Sequence, residues 1–522
     1  IRIRGTRSIT AGNEPLIVVD GVLDAVSDLN DINPADVSAI SVLKDASSTA
    51  LYGSRGANGV IIVTTKSGVK GRPVVTIRSD VGFSELPKGL DIMNATEFAL
   101  YRNDYAYFAT TDNYGEIGEG TPLSKYPYPN PYGMGEGTDW IKEITRRAPY
   151  QNYSASVAGG SEKTSYFGSF GYSNNQGIIR NSGLERLTGR FNIDHEFAKW
   201  IKLGMRLSYT YRDQKKNTAD ISGSSWWSAA MYLSPTMKPN TNFNELWYGG
   251  QRFNSPLAHI ELRDDLTKGQ TMNDALYIEI EPIKGLKIKD QGSLYTYHRH
   301  DYGYSPSNMP ATESGAGGTA SRTEYRENSL MNELTIQYTK TFGEDHNMDL
   351  LVGHSYQVKK YENLAMSGKG FLVDANRWNS MQSIMDRENL SPSSSFSKIQ
   401  KESFIFRANY NYKQRYYLTL TGRMDGGSNF AANRKRNIFP SGALKWNIQN
   451  EEFMKNVKWI DEFAIRASYG RTGNDAISAY RSLERMNSTS SGALVDESYE
   501  TAYYRSQIAN PDLTWETTDM YN

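Results

Sequence analysis

Three groups of residues could carry chemistry by type and spacing. His298 and His300 stand at i, i+2, which places both imidazoles on one face of a strand, as a metal pair would need. No third ligand accompanies them: the chain has six His, no Cys and no H-E-x-x-H run, so no metal site, thiolate chemistry or cofactor is expected. The glycines of Gly53-Ser-Arg-Gly-Ala-Asn-Gly59 imitate a phosphate cradle, but the Lys-Ser/Thr partner is missing and they read as a tightly packed turn. Arg55 in that turn could meet a carboxylate or stand in solvent. Asp425-Gly426-Gly427 has the composition of a calcium loop, and more commonly of a turn. Without a G-x-S-x-G elbow or converging carboxylate pairs, no enzymatic activity is expected.

Binding is the better prospect. Trp226, Trp227, Trp247, Tyr248 and Phe253 crowd one long segment, and flat aromatic faces suit sugar rings or peptide backbones. The same rings could instead pack that segment against its neighbours or a partner. Tyr126-Pro-Tyr-Pro-Asn-Pro-Tyr132 is a polyproline-like strip that could dock a partner or stiffen a loop.

The elements that must position these residues fall into two textures, divided near Gly68 to Arg72, so residues 1–70 and 71–522 are expected to be separate domains. The first reads as a compact α+β unit. Pro15-Leu-Ile-Val-Val19 runs into the turn pair Asp20-Gly21, Asn33-Pro34 is an N-cap followed by Pro, Ala46 to Tyr52 suits a short helix, and Val60 to Thr65 suits a buried strand. After Arg72 the pattern has period two. In Leu203 to Arg212 the odd positions are Leu, Met, Leu, Tyr and Tyr, and the even ones Gly, Arg, Ser, Thr and Arg. Similar alternation marks 187–197, 330–338, 348–358, 404–412, 416–424 and 463–469, which predicts about thirteen strands from Arg72 and one more near Leu513.

No apolar run approaches the ~20 residues of a spanning helix, and mean hydropathy is -0.60. A membrane β-barrel passes that test, because alternating strands keep average hydropathy low. Connections alternate between short (near 159–163, 198–199, 282–285, 342–346 and 413–415) and long (near 85–149, 213–270, 299–321 and 361–397), as in a barrel with tight turns at one rim. Tyr209, Tyr211, Tyr295, Tyr297, Tyr410, Tyr412, Tyr416, Tyr417 and Trp446 are expected in interfacial girdles. Equal numbers of Lys+Arg and Asp+Glu, 58 each, leave no field for nucleic acid. Ile1-Arg-Ile-Arg4 begins inside a strand-like pattern and Met520-Tyr521-Asn522 ends without a signal, so the chain reads as part of a longer protein.

Longer runs are familiar. Ile1 to Gly5, Asn13 to Gly21, Ser41 to Lys66, Arg423 to Phe430, Phe439 to Trp446, Ile465 to Asn474 and Asn510 to Glu516 resemble the SusC/RagA family of TonB-dependent outer-membrane transporters. The resemblance implies an all-β transmembrane β-barrel, 22-stranded when complete, with a small α+β plug at the N-terminus. It assigns Asp20, Gly21, Lys44, Asp45, Tyr52, Gly53, Arg55, Gly56 and Gly59 to the plug motif. It also implies a place in the cell outer membrane, contact with its lipid, a SusD-like surface lipoprotein and TonB as partners, and import of an oligosaccharide or oligopeptide. A siderophore or vitamin receptor and a non-transporting glycan-binding surface protein are the alternatives.

Overall fold

The computed structural model describes residues 13–23, 29–44, 50–87, 91–108, 117–216, 226–239, 244–246, 252–309, 317–371, 373–384, 387–455, 457, 459–495 and 498–522. Asp45 and most of the stretch read as a helix from Ala46, together with Trp247 and Tyr248, lie outside them.

The first unit is a four-stranded sheet of β1 (Leu16–Val19), β2 (Val22–Leu23), β3 (Val37–Leu43) and β4 (Val60–Thr65), in the order β2-β1-β4-β3. The turn between β1 and β2 has positive φ at both Asp20 (50°) and Gly21 (86°), the hairpin geometry that this residue pair favours. Asn33 caps the 3-10 turn Pro34–Asp36 by accepting from the Ala35 amide at 3.0 Å. Aliphatic side chains on both faces of β1 and β4 are buried, Val18, Val60 and Val63 to 1% exposure or less.

The second unit is one antiparallel sheet. Its strands begin with β5 (Gly71–Ser84), β6 (Ala148–Gly160), β7 (Thr164–Gln176), β8 (Gly183–Ala198) and β9 (Ile201–Lys215). A loop hairpin, β10 (Asn244–Leu246) with β11 (Arg252–Asn254), interrupts them. The sheet resumes with β12 (Asp264–Ile283), β13 (Leu286–Ser305), β14 (Gly318–Phe342), β15 (His346–Phe371) and β16 (Leu390–Tyr412). It continues with β17 (Tyr416–Gly427), β18 (Arg436–Asn447) and β19 (Ala464–Asn474). A second hairpin, β20 (Arg485–Val495) with β21 (Ser498–Gln507), precedes the last strand, β22 (Glu516–Tyr521). Fourteen strands pair as nearest neighbours from β5 to β22, with both loop hairpins left out.

Alternation sorts side chains as the sequence predicts. On β9 Leu203 and Tyr209 face outward, whereas Thr210 is buried on the concave face and donates to Asp31 O of the first unit at 2.8 Å. Further round, Val352, Phe406, Leu420, Ile438 and Leu444 are exposed outward and Gln357, Ser403, Thr421, Arg423 and Ser441 are buried inward. Tyr410, Tyr416 and Trp446 face outward by the short turns, the last two stacked with centroids 6.4 Å apart. That is the expected girdle. Tyr295 and Tyr297 do not belong to it: they lie on the inward face, 4% and 7% exposed, and Tyr417 shares the inward face of β17 with Thr421. In a run such as Tyr-x-Tyr the residue type alone does not distinguish a wet inner face from a lipid-facing one.

Two further expectations are corrected. Strands β14, β15 and β16 are 25, 26 and 23 residues long, and they extend well into the segments read as loops. About 9–11 residues suffice to cross a bilayer, so these ladders continue beyond it, where both faces are wet and alternation fades. Asp425-Gly426-Gly427 is not a turn but the end of β17, with Asp425 opposite Asn437.

Candidate functional site

The small sheet sits in the concavity of the large one, and charged side chains meet at the contact between them. Its first anchor is the 3-10 segment Ala50–Gly56, broken at Gly53 (φ 58°, ψ -135°). A Cβ there would lie 2.3 Å from the Arg423 side chain and 2.4 Å from Asp425 Oδ2, so only glycine lets the backbone approach. The Ser54 amide donates to Asp425 Oδ2 at 3.0 Å. Asp425 Oδ1 in turn accepts from Arg423 Nε at 2.6 Å, and Arg423 Nη2 donates to Ser403 Oγ at 2.9 Å. Arg423 and Asp425 are each 2% exposed. The plug turn therefore completes a buried ion pair of the wall.

A second anchor gathers on β7 and β8. Arg190 bridges Asp20 at 3.4 Å and Asp36 at 3.8 Å, all three side chains largely buried. Asp20 also accepts from the Thr65 amide and hydroxyl at 2.8 and 2.6 Å, which ties the β1–β2 turn to the end of β4. Ser169 donates to Asp36 at 2.9 Å, and Asn192 donates to Lys66 O at 2.9 Å. Burial pushes the Asp36 carboxyl above its ordinary value, against Ser169, Arg190 and Lys66, which favour the charged form. On β9, Arg212 stands 3.2 Å from Asp31, whose other oxygen accepts from Thr271 at 3.2 Å. Among the described residues, the wall side chains Ala275 and Met331 join the two aliphatic clusters of the small sheet.

Cavities lie on both sides of this unit. Toward the long loops, one of about 290 Å³ is lined by Glu14, Leu16, Ser54, Arg55 and Asn58 of the small unit and by Tyr295, Glu327, Lys359, Lys401 and Asp475 of the wall. Two ion pairs cross its wall, Lys359 to Glu327 at 3.6 Å and Lys401 to Asp475 at 2.6 Å. Above Tyr295, Tyr297, Tyr325 and Tyr361 form a ladder with centroids 6.0 and 6.5 Å apart, and the Arg299 guanidinium lies 5.4 Å from the Tyr325 centroid. Toward the short turns, a cavity of about 300 Å³ is lined by Asp20, Thr65, Asn192, Asp194, Arg206, Tyr277 and Lys289. Glu333, on the wall behind the Gly53 turn, sits in the field of Arg423, Lys289 and Arg55.

Of Trp226, Trp227, Trp247, Tyr248 and Phe253, only Trp227 has its side chain described. Trp227 is the second residue of the helix Trp226–Tyr232 and packs on a loop cluster of Trp140, Ile144, Ala229, Leu233 and Ile260. Of Trp226 and Phe253 only the backbone is described, in that helix and in β11. Tyr128 packs edge-on to Phe98 and exchanges two hydrogen bonds with Asn103, so the Pro-rich strip folds onto the helix Ala95–Phe108. Among the plug-motif residues, Lys44 is exposed at the end of β3, Tyr52 packs beside Met331, and Gly59 (φ 94°) donates to Gly56 O at 3.0 Å. His298 and His300 face outward, and among the described residues no cluster of three potential ligands could hold a metal ion. The wall residues Tyr295, Tyr325, Glu327 and Lys359 were missed. They occupy successive inward positions of neighbouring strands, a signal visible only once register is known.

A four-stranded unit lodged in the concavity of a wide antiparallel wall is the arrangement of a plugged barrel. Residues 1–60 match the TonB-dependent receptor plug domain. TonB-dependent receptor P26 of Formosa agariphila is 34% identical over 99% of this chain and 51% of its own length. TonB-dependent receptor SusC of Bacteroides thetaiotaomicron is 29% identical over 100% of this chain and 52% of its own length. The RagAB peptide importer in its open-open state superposes with a TM-score of 0.82 at 26% identity, covering 100% of this chain and 59% of that one. The siderophore receptor PirA of Acinetobacter baumannii reaches 0.52 at 13% identity, which shows the shared fold. Over its whole length the chain is similar to SusC/RagA-like TonB-dependent receptors, and it spans about half the length of the curated relatives it matches. These relatives are named as receptors and importers rather than enzymes.

Proposed function

We propose that this chain is the plug and adjoining barrel wall of an importer that draws an oligomeric nutrient across the outer membrane, coupled to TonB and assisted by a SusD-like surface lipoprotein. The observation that carries this reading is the plug seated between two lumenal cavities and held by charge pairs and hydrogen bonds. A path between the cavities requires the plug to move, and moving it breaks polar contacts that water can replace. The work comes from outside, since the sequence holds no GK[ST] phosphate loop.

Oligopeptide is favoured over oligosaccharide. The loop-side cavity presents fixed charges of both signs, Arg55 and Lys401 against Glu14, Glu327 and Asp475, beside the ring of Tyr295. Such a lining complements a zwitterionic chain, and the resemblance to a peptide importer points the same way. The test is uptake of labelled oligopeptide and oligosaccharide pools by cells carrying the full-length parent, with and without a proton-motive force. Peptide uptake that stops when the force is collapsed, with co-purification of a surface lipoprotein, is expected. Uptake that survives collapse would overturn energy coupling, and uptake of the saccharide pool alone would overturn the peptide assignment.

A further inference from the structure

Several cations on the outward face are paired. Lys268 meets Asp213 at 3.3 Å, and Glu324 meets Arg322 at 2.9 Å and His300 at 3.7 Å. Arg326, Lys360 and Lys398 cluster on β14, β15 and β16 of the same face, and among the described residues none has a carboxylate within 4 Å. Lys360 and Lys398 are directly opposed in register, and Asn328 flanks Lys360 on its other side. Like charges opposed on one face of an antiparallel pair destabilise it unless an anion intervenes. Glu362 faces Arg326 across the ladder without reaching it, so three cations confront one carboxylate.

Position supplies the second argument. Counting outward residues of β15 from its short turn gives Met348, Leu350, Val352, His354, Tyr356 and Val358, then Lys360. That is about the 9–11 residues a tilted strand uses to cross hydrocarbon, so the basic trio falls at the boundary on the long-loop side. Leu330 just below and Phe396 beside it are 63% and 55% exposed. Apolar surface of this kind suits acyl chains, and Lys and Arg stems lie over it with their charges raised to headgroup level.

We propose that Arg326, Lys360 and Lys398 form a binding site for the phosphate groups of an outer-leaflet glycolipid, with Asn328 as an additional donor. Arg offers phosphate a bidentate fork and the lysines point charges. The proposal rests on the reading of the sheet as a membrane-spanning wall.

The experiment uses the full-length parent extracted from outer membranes in mild detergent, with native mass spectrometry of the lipid it retains. Wild-type protein is expected to keep phosphorylated glycolipid. Lys360→Glu with Lys398→Glu should lower retention at least tenfold, while Lys340→Glu, near the short turns, leaves it unchanged. Added glycolipid stripped of its phosphates should not bind wild-type protein. Where charge reversal blocks assembly, Lys360→Gln with Lys398→Gln gives the same readout. Equal retention by wild-type and double variant, or equal binding of the dephosphorylated lipid, would overturn the site. Failure of the wild-type protein to fractionate with the outer membrane would instead overturn the barrel reading.

Discussion

The interior of the plug and its contact with the wall are built from opposite materials. Inside the four-stranded sheet, Leu16, Val18, Val19, Val60, Ile61 and Val63 are all buried at 5% exposure or less. Across the boundary, the plug touches the wall through Asp20, Asp31, Asp36 and the Ser54 amide, against Arg190, Arg212 and Asp425. An apolar boundary would be stabilised roughly in proportion to its area and would resist separation. A polar one exchanges protein contacts for water contacts at small net cost, since desolvation offsets most of the attraction within a buried ion pair. The contrast fits the proposed import, in which the plug would leave its seat as a unit without unfolding.

The sharpest way to break that contrast is to leave a charge without its partner. Asp425→Ala removes the acceptor of both the Ser54 amide and Arg423 Nε, and strands a guanidinium in a place that is 2% exposed. Breaking a buried pair by deleting one partner costs about 3–5 kcal/mol. In the full-length parent this should unseat the plug turn, read as faster proteolytic cleavage between residues 50 and 60 and as ion leakage through the barrel in planar bilayers. Protection and conductance equal to wild type would mean that the Gly53 turn is not an anchor.

Next in size is a test of which solvent each face of the wall meets. Leu420 is 46% exposed on the outward face, a few residues above the short turn, and Thr419 faces the lumen. Leu420→Arg should impair assembly by up to about 2 kcal/mol, between the small cost of a cation near the interface and the ~2–4 kcal/mol of the bilayer midplane. Thr419→Arg, with its charge in a polar lumen, should assemble nearly as well as wild type. Unfolding from lipid vesicles by urea measures both, and equal cost for the two would refute the assignment of faces.

The pattern that licenses this second test was legible in the sequence. Period-two alternation identified β8, β9 and the lower halves of β14 to β17, because lipid on one side and water on the other force apolar and polar residues apart. It failed where the physics stopped forcing them: the upper halves of β14 to β16 have water on both sides, so their strands read as loops. Tyr295 and Tyr297 were misplaced because tyrosine suits a headgroup belt and a wet cavity equally well. The plug's local turns, Asp20-Gly21 and Asn33-Pro34, follow from neighbouring residues and were visible. The anchors were not, since Ser54 and Asp425 lie 371 positions apart and only the folded wall around the small sheet brings them together.

The smallest effect concerns protonation at the plug boundary. Asp36 holds its proton more tightly in place than in an unfolded chain, because burial outweighs Ser169, Arg190 and Lys66. A carboxyl with a raised value favours the seated plug at low pH, and this contribution is lost as pH rises from the ordinary 3.8 through the raised value. Ser169→Ala removes a donor to the charged form, at a cost of about 1–2 kcal/mol, and raises the carboxyl further. The deficit of the variant should therefore be larger at pH 7 than at pH 4, measured as the difference in urea midpoint for plug release between the two proteins. A deficit that is constant, or larger at pH 4, would mean that Asp36 serves as a fully charged partner of Arg190, and that the boundary is held by ion pairing more than by hydrogen bonding.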